Sequence, residues 1–103
     1  MQKKLEVLKL NENEFFRFMR EKHPIFFNSN IFLRDIQYSI FTYFDLKGEM
    51  LKYSESEKLA LLFTEYLMDE NKLVKLSNNA WRVDFTMNDF VQTENTNESE
   101  VVS

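Results

Sequence analysis

The chain predicts an α+β fold, mostly helical, with three helices followed by a C-terminal β-hairpin. Three observations carry this. Apolar residues recur at helical spacing in three stretches, each introduced by a capping signal. Two short alternating runs flank Ser77-Asn78-Asn79-Ala80. A single Gly and a single Pro in 103 residues imply long regular elements, and 44% hydrophobic content with 16% aromatic supplies a core for one domain.

Residues 1–10 place Leu5, Val7 and Leu10 between Lys4, Glu6 and Lys9. That loose alternation fits a strand or extended arm, or else a lead-in helical turn; the strand or arm is the favoured reading. Asn11 with Glu14 three residues on has the form of a capping box, which opens a first helix over residues 12–23. Phe15, Phe16, Phe18 and Met19 form its apolar side, and Arg17, Arg20, Glu21 and Lys22 its polar side. Pro24 stops it and pushes His23 out of the helical region. Residues 24–30 are an apolar-then-polar connector whose Ile25, Phe26 and Phe27 need cover. Ser29 or Asn30 then caps a second helix over residues 31–47, with Leu33, Ile36, Ile40 and Phe44 as its stripe. Phe32, Arg34 and Tyr38 fall on another side, and Gly48 is placed to terminate it in the left-handed conformation. Residues 49–53 are a candidate third strand for the hairpin.

The third helix is the clearest element. Ser54 and Glu57 form a second capping box, and Leu59, Leu62, Phe63, Tyr66 and Leu67 recur at i, i+3, i+4, i+7 and i+8. Ala60, Leu61 and Met68 widen the stripe, which implies burial between two neighbours. Asn71 closes the helix. The hairpin strands are residues 72–76 and 81–85, joined by Asn78-Asn79 in a type I′ turn, which needs positive φ at both central positions. That register sets Leu76 against Trp81, Val74 against Val83 and Lys72 against Phe85, with Lys75 opposite Arg82 on the other face. Two opposed cations are a hint of an anionic partner; the plainer reading is that both side chains splay into water. From residue 92 the chain reads as a disordered acidic tail, which leaves residues 1–91 as the globular domain.

Composition bounds the function. The formal net charge is −4, uneven along the chain: residues 1–47 hold eight Lys/Arg against six Asp/Glu, and residues 48–103 hold five against eleven. An acidic chain is a poor default nucleic-acid binder, because phosphate contacts supply most non-specific affinity. No Cys excludes a disulfide framework, a thiolate metal site and a Cys nucleophile, and fits a cytoplasmic setting. No signal-peptide pattern, lipidation motif or apolar run long enough to span a bilayer is present. His23 is the single histidine and has no nucleophile elbow or Gly-rich oxyanion loop to serve, so a helix-end or surface role fits it better. The carboxylate pairs Glu55/Glu57 and Asp69/Glu70 each lie at a helix end, which is structural cause enough. These absences predict a protein that is not an enzyme and holds no cofactor or metal.

The order helix, helix, short strand, helix and hairpin over residues 30–85, with "YLMDENKLVKLSNNAWRVDF" running from helix into hairpin, resembles a winged-helix domain. In that family the last helix before the wing commonly enters the major groove, and the resemblance equally implies protein–protein and dimerisation modules. Here that helix holds Glu55, Glu57, Glu65, Asp69 and Glu70 against Lys58. Two functions follow. The first is a protein-interaction or self-association module, a homodimer among its forms. Its warrant is the aromatic surplus Phe16, Phe26, Phe27, Phe32, Tyr38 and Tyr43, with Phe26, Phe27, Phe32 and Tyr38 as interface candidates. A well-filled monomer core is the competing explanation of that surplus. The second is a winged-helix nucleic-acid binder that meets phosphate with Lys72, Lys75 and Arg82 on the wing, or with Arg17, Arg20, Lys22 and Arg34.

Overall fold

Asn11 is all that separates the first two helices, α1 (Gln2–Leu10) and α2 (Glu12–Arg20). The computed structural model describes residues 2–23 and 25–85, so the expected acidic tail from residue 92 lies outside the described residues. Asn11 donates both its backbone N–H and its side-chain Nδ2 to the Val7 carbonyl, 2.9 Å each, while its own carbonyl accepts from Phe15. It therefore closes α1 and gives α2 no side-chain cap; Glu14 N–H bonds to Asn13 Oδ1 instead. The strand or arm expected over residues 1–10 is corrected to a helix. The pair that decides is Leu5 with Leu8 at i, i+3: Leu8 is fully buried and Leu5 packs against the core. α1 lies along the fourth helix, with the Lys9 ammonium 5.0 Å from the Tyr66 ring centroid.

The remaining order is β1 (Asn30–Phe32), α3 (Leu33–Leu46), α4 (Tyr53–Asp69), β2 (Leu73–Ser77) and β3 (Ala80–Val83). Among the described residues the fold is α+β with helices ahead of a C-terminal hairpin, but with four helices and a three-stranded antiparallel sheet of order β1-β3-β2. The third strand comes from residues 30–32, not from residues 49–53, which form no strand. Phe32, not Ser29 or Asn30, stands at the start of α3 and gives no side-chain cap. At the other end Gly48 takes φ +79° after Lys47, as its position predicts, and Asn71 takes φ 62° after α4. The box at the start of α4 sits two residues earlier than Ser54 and Glu57: Glu55 Oε1 accepts from Lys52 N–H at 2.9 Å. A Lys side chain cannot accept in return, so only half of the reciprocal pair forms.

The hairpin loop is Asn78-Asn79, yet neither residue has positive φ, so the turn is not type I′. Such turns match strand twist poorly, and a bulge at Leu76 takes up the mismatch. The bulge slips the register by one residue: Leu73 faces Val83, Val74 faces Arg82 and Lys75 faces Trp81. A one-residue slip swaps faces. Leu73 consequently joins Trp81, Val83 and Ile31 on the buried face, while Val74 is half-buried on the opposite face.

One cluster of buried residues joins all the helices to the sheet. Its centre is aromatic. Phe15 meets Phe16, Tyr43 and Phe63 edge-on at 5.4–5.6 Å, and Phe16 stacks on Phe63 and tilts against Phe85. Such pairs add about 0.5–1.5 kcal/mol each beyond area burial. Phe16 and Tyr43, counted above as surplus, are core residues at 1% and 4% exposure. Polar ties cross the helices. Tyr43 donates to Glu14 Oε1 at 2.5 Å, and Lys47 lies 3.5 Å from the same oxygen and 4.8 Å from the Tyr43 ring centroid.

Candidate interaction surface

Residues 26–29 form a closed turn. Ser29 Oγ accepts from Phe26 N–H at 3.0 Å and donates to the Phe26 carbonyl at 2.7 Å, with Asn28 at φ 70°. Asn28 N–H to Val83 O and Val83 N–H to Ser29 O, 2.8 Å each, fasten it to the sheet. Ile25 is buried beneath, whereas Phe26 and Phe27 stand 61% and 52% exposed. Along β1 the alternation sends Ile31 inward and Phe32 outward, the latter 49% exposed. Tyr38, 45% exposed, lies on the side of α3 shared by Arg34, Phe41 and Asp45 at helical spacing. Phe41 meets Tyr53 edge-on at 5.9 Å. The four interface candidates are thus exposed and follow one another along a turn, a strand and the start of a helix.

A cavity of about 500 Å³ opens at the start of α3, lined by Phe32, Leu33, Arg34, Asp35, Gln37 and Asn79. Its walls are tied down. Leu33 N–H bonds to Asn79 O at 2.9 Å, Gln37 Nε2 donates to Tyr53 O at 3.3 Å, and His23 Nδ1 lies 3.7 Å from Asp35 Oδ1. The arrangement offers polar anchoring beside an exposed aromatic ring.

The hairpin cations are not brought together. Lys72 forms an ion pair with Glu12, whose side chain is 9% exposed. Lys75 is exposed on the face of Trp81, and Arg82 faces Val74 on the opposite side of the sheet, so the expected Lys75–Arg82 pair is corrected by the slipped register. The Arg82 Nε is buried with no hydrogen-bond partner among the described residues. Arg17, Arg20 and Lys22 are exposed on or just after α2, and Arg34 is exposed on α3.

The shifted titrations have structural causes. The hydrogen bond from Tyr43, with Lys47 beside it, holds the Glu14 carboxyl below its usual range. Burial and the Glu14 carboxylate push the Tyr43 phenol well above its usual value. Burial, then Glu12 and Glu70, push Tyr66 up. Among the described residues no group of three or more His, Asp or Glu could hold a metal ion, and no helix is long and apolar enough to cross a membrane.

Leu61 and Leu62, placed in the apolar stripe by their spacing, are 43% and 41% exposed. The available signal was the acidic company at one-turn spacing, Glu57 and Glu65 on either side of Leu61. No protein-family model, curated protein or solved structure matches the chain.

Proposed function

We propose that the chain is a non-enzymatic protein-interaction module of winged-helix type, which associates with itself or with a protein partner through residues 26–38. The observation that carries this is the exposure of Phe26, Phe27, Phe32 and Tyr38 at 45–61% on consecutive ordered elements. A small domain gains stability by burying such rings, and exposed aromatics grouped along one stretch favour an interface. The winged-helix reading is supported by the pair α3 and α4 leading directly into a hairpin that a third strand joins at β3. The separation of Lys75 from Arg82, and the pairing of Lys72, favour a protein partner over nucleic acid.

Light scattering after size exclusion over a concentration series tests the self-association form, and Phe26→Ser with Tyr38→Ser locates it. Loss of association in the double variant, with unfolding midpoint unchanged, supports the reading. Insensitivity of association to both changes, with sensitivity to Lys75→Glu and Arg82→Glu in a nucleic-acid shift assay, supports the wing instead.

A further inference from the structure

We propose that the outward face of α4 is a docking site for a cationic amphipathic helix of a partner protein. Glu57, Leu61, Glu65 and Asp69 follow one another at four-residue steps along α4 and form one row on its surface. Leu62 lies beside Leu61 in the adjoining row with Lys58. All six are exposed, while Leu59, Ala60, Phe63 and Leu67 face the core. Two leucines at 43% and 41% exposure halfway along an ordered helix are an apolar contact waiting for cover.

Charge selects the cover. Some acids are matched within the fold: Glu6 by Lys9, Glu14 by Lys47 and Glu49 by Lys4. Glu57, Glu65 and Asp69 have no ion pair among the described residues, and Lys58 is the one base on this side of α4. Carboxylates above and below an apolar pair fit a helix that carries apolar residues one turn apart, flanked by Lys or Arg. A nucleic-acid phosphate would meet the same carboxylates as repulsion. A second copy docking α4 on α4 would oppose like charges. This face lies on a different element from residues 26–38, and it stands whether or not that stretch binds anything.

The probe is a labelled synthetic Leu/Lys amphipathic helical peptide, with a Leu/Glu peptide of the same pattern as control, titrated against the full chain by fluorescence anisotropy. The Lys peptide is expected to bind and the Glu peptide not. Leu61→Ser with Leu62→Ser weakens binding by on the order of tenfold or more, and so does Glu57→Lys with Glu65→Lys. The lysine variant also gains affinity for the Glu peptide. Because the replaced residues are exposed, the variants retain the buried emission of Trp81, which checks folding. No binding overturns the proposal. So does binding unaffected by either double variant, or weakened as much by Glu21→Lys, an exposed acid at the end of α2. A concentration-dependent dimer that the two serine substitutions abolish makes a second copy the occupant and also overturns it.

Discussion

Glu12 and Lys72, sixty positions apart, form an ion pair that ties the first residue of α2 to the chain entering β2. Glu12 is 7% exposed, and it also lies against the Tyr66 hydroxyl. The pair spends on folding a lysine that pattern alone assigns to ligand contact. Glu12→Ala leaves a partly buried ammonium with its main partner gone. It is expected to cost about 2 kcal/mol in urea unfolding followed by Trp81 emission. Glu12→Ala with Lys72→Met is expected to cost less than the sum of the two single changes.

The slipped hairpin register separates two neighbours. Leu73 is 3% exposed and faces Val83, whereas Val74 points the other way. Leu73→Ala should therefore cost about 3 kcal/mol, and Val74→Ala under about 1 kcal/mol. The unslipped register reverses that order, so the same two unfolding curves decide between them.

Tyr43 and Glu14 give the fold a defined pH response. The Tyr43 phenol titrates in the folded protein above its ordinary value of 10.0. Its contribution is complete below that value and is lost as pH rises past it, because the unfolded chain releases its proton first. Glu14 titrates below its ordinary 4.5, so its contribution is present above that value and is lost as pH falls through its folded pKa. Tyr43→Phe removes the shared hydrogen bond. It is expected to cost about 1 kcal/mol at neutral pH. It also flattens the decline in stability above pH 10 seen in unfolding midpoints.

The nucleic-acid reading makes a separate prediction. With Lys72 paired and Lys75 and Arg82 on opposite faces, Lys75→Glu with Arg82→Glu should leave the mobility of labelled duplex DNA unchanged relative to the wild type at moderate salt. A shift by the wild type that those two changes abolish and that falls steeply with salt would restore the wing as a phosphate site.

Much of this fold was legible because period carries it. α4 and the hairpin followed from Leu59, Phe63 and Leu67 at helical spacing and from two runs around Asn78-Asn79. α1 was not, because Leu5, Val7 and Leu10 alternate while the helical partner Leu8 sits among them. A strand of three residues, Asn30–Phe32, is too short to show alternation, so the third strand was sought at residues 49–53. The bulge at Leu76 has no sequence signature beyond the turn beside it, and it exchanged the faces of the β2 residues ahead of it, Leu73 to Lys75. Phe26, Phe27, Phe32 and Tyr38 of the aromatic surplus are exposed, yet composition alone did not separate them from Phe16 and Tyr43, which the cluster around Phe15 absorbs, and it did not single out the exposed Tyr53. Leu61 and Leu62 were read as core because a wide stripe looks the same whether both edges are covered or one is left open.

An interaction surface over residues 26–38 is tested by light scattering of the 12.5 kDa chain across a concentration series, beside a Phe26→Ser, Tyr38→Ser variant. The expected mass rises toward that of a dimer in the wild type and stays monomeric in the variant, with both unfolding at the same urea concentration. A monomer at every concentration, in a protein whose unfolding midpoint drops when those rings are removed, would contradict it and return the four aromatics to the monomer's own packing.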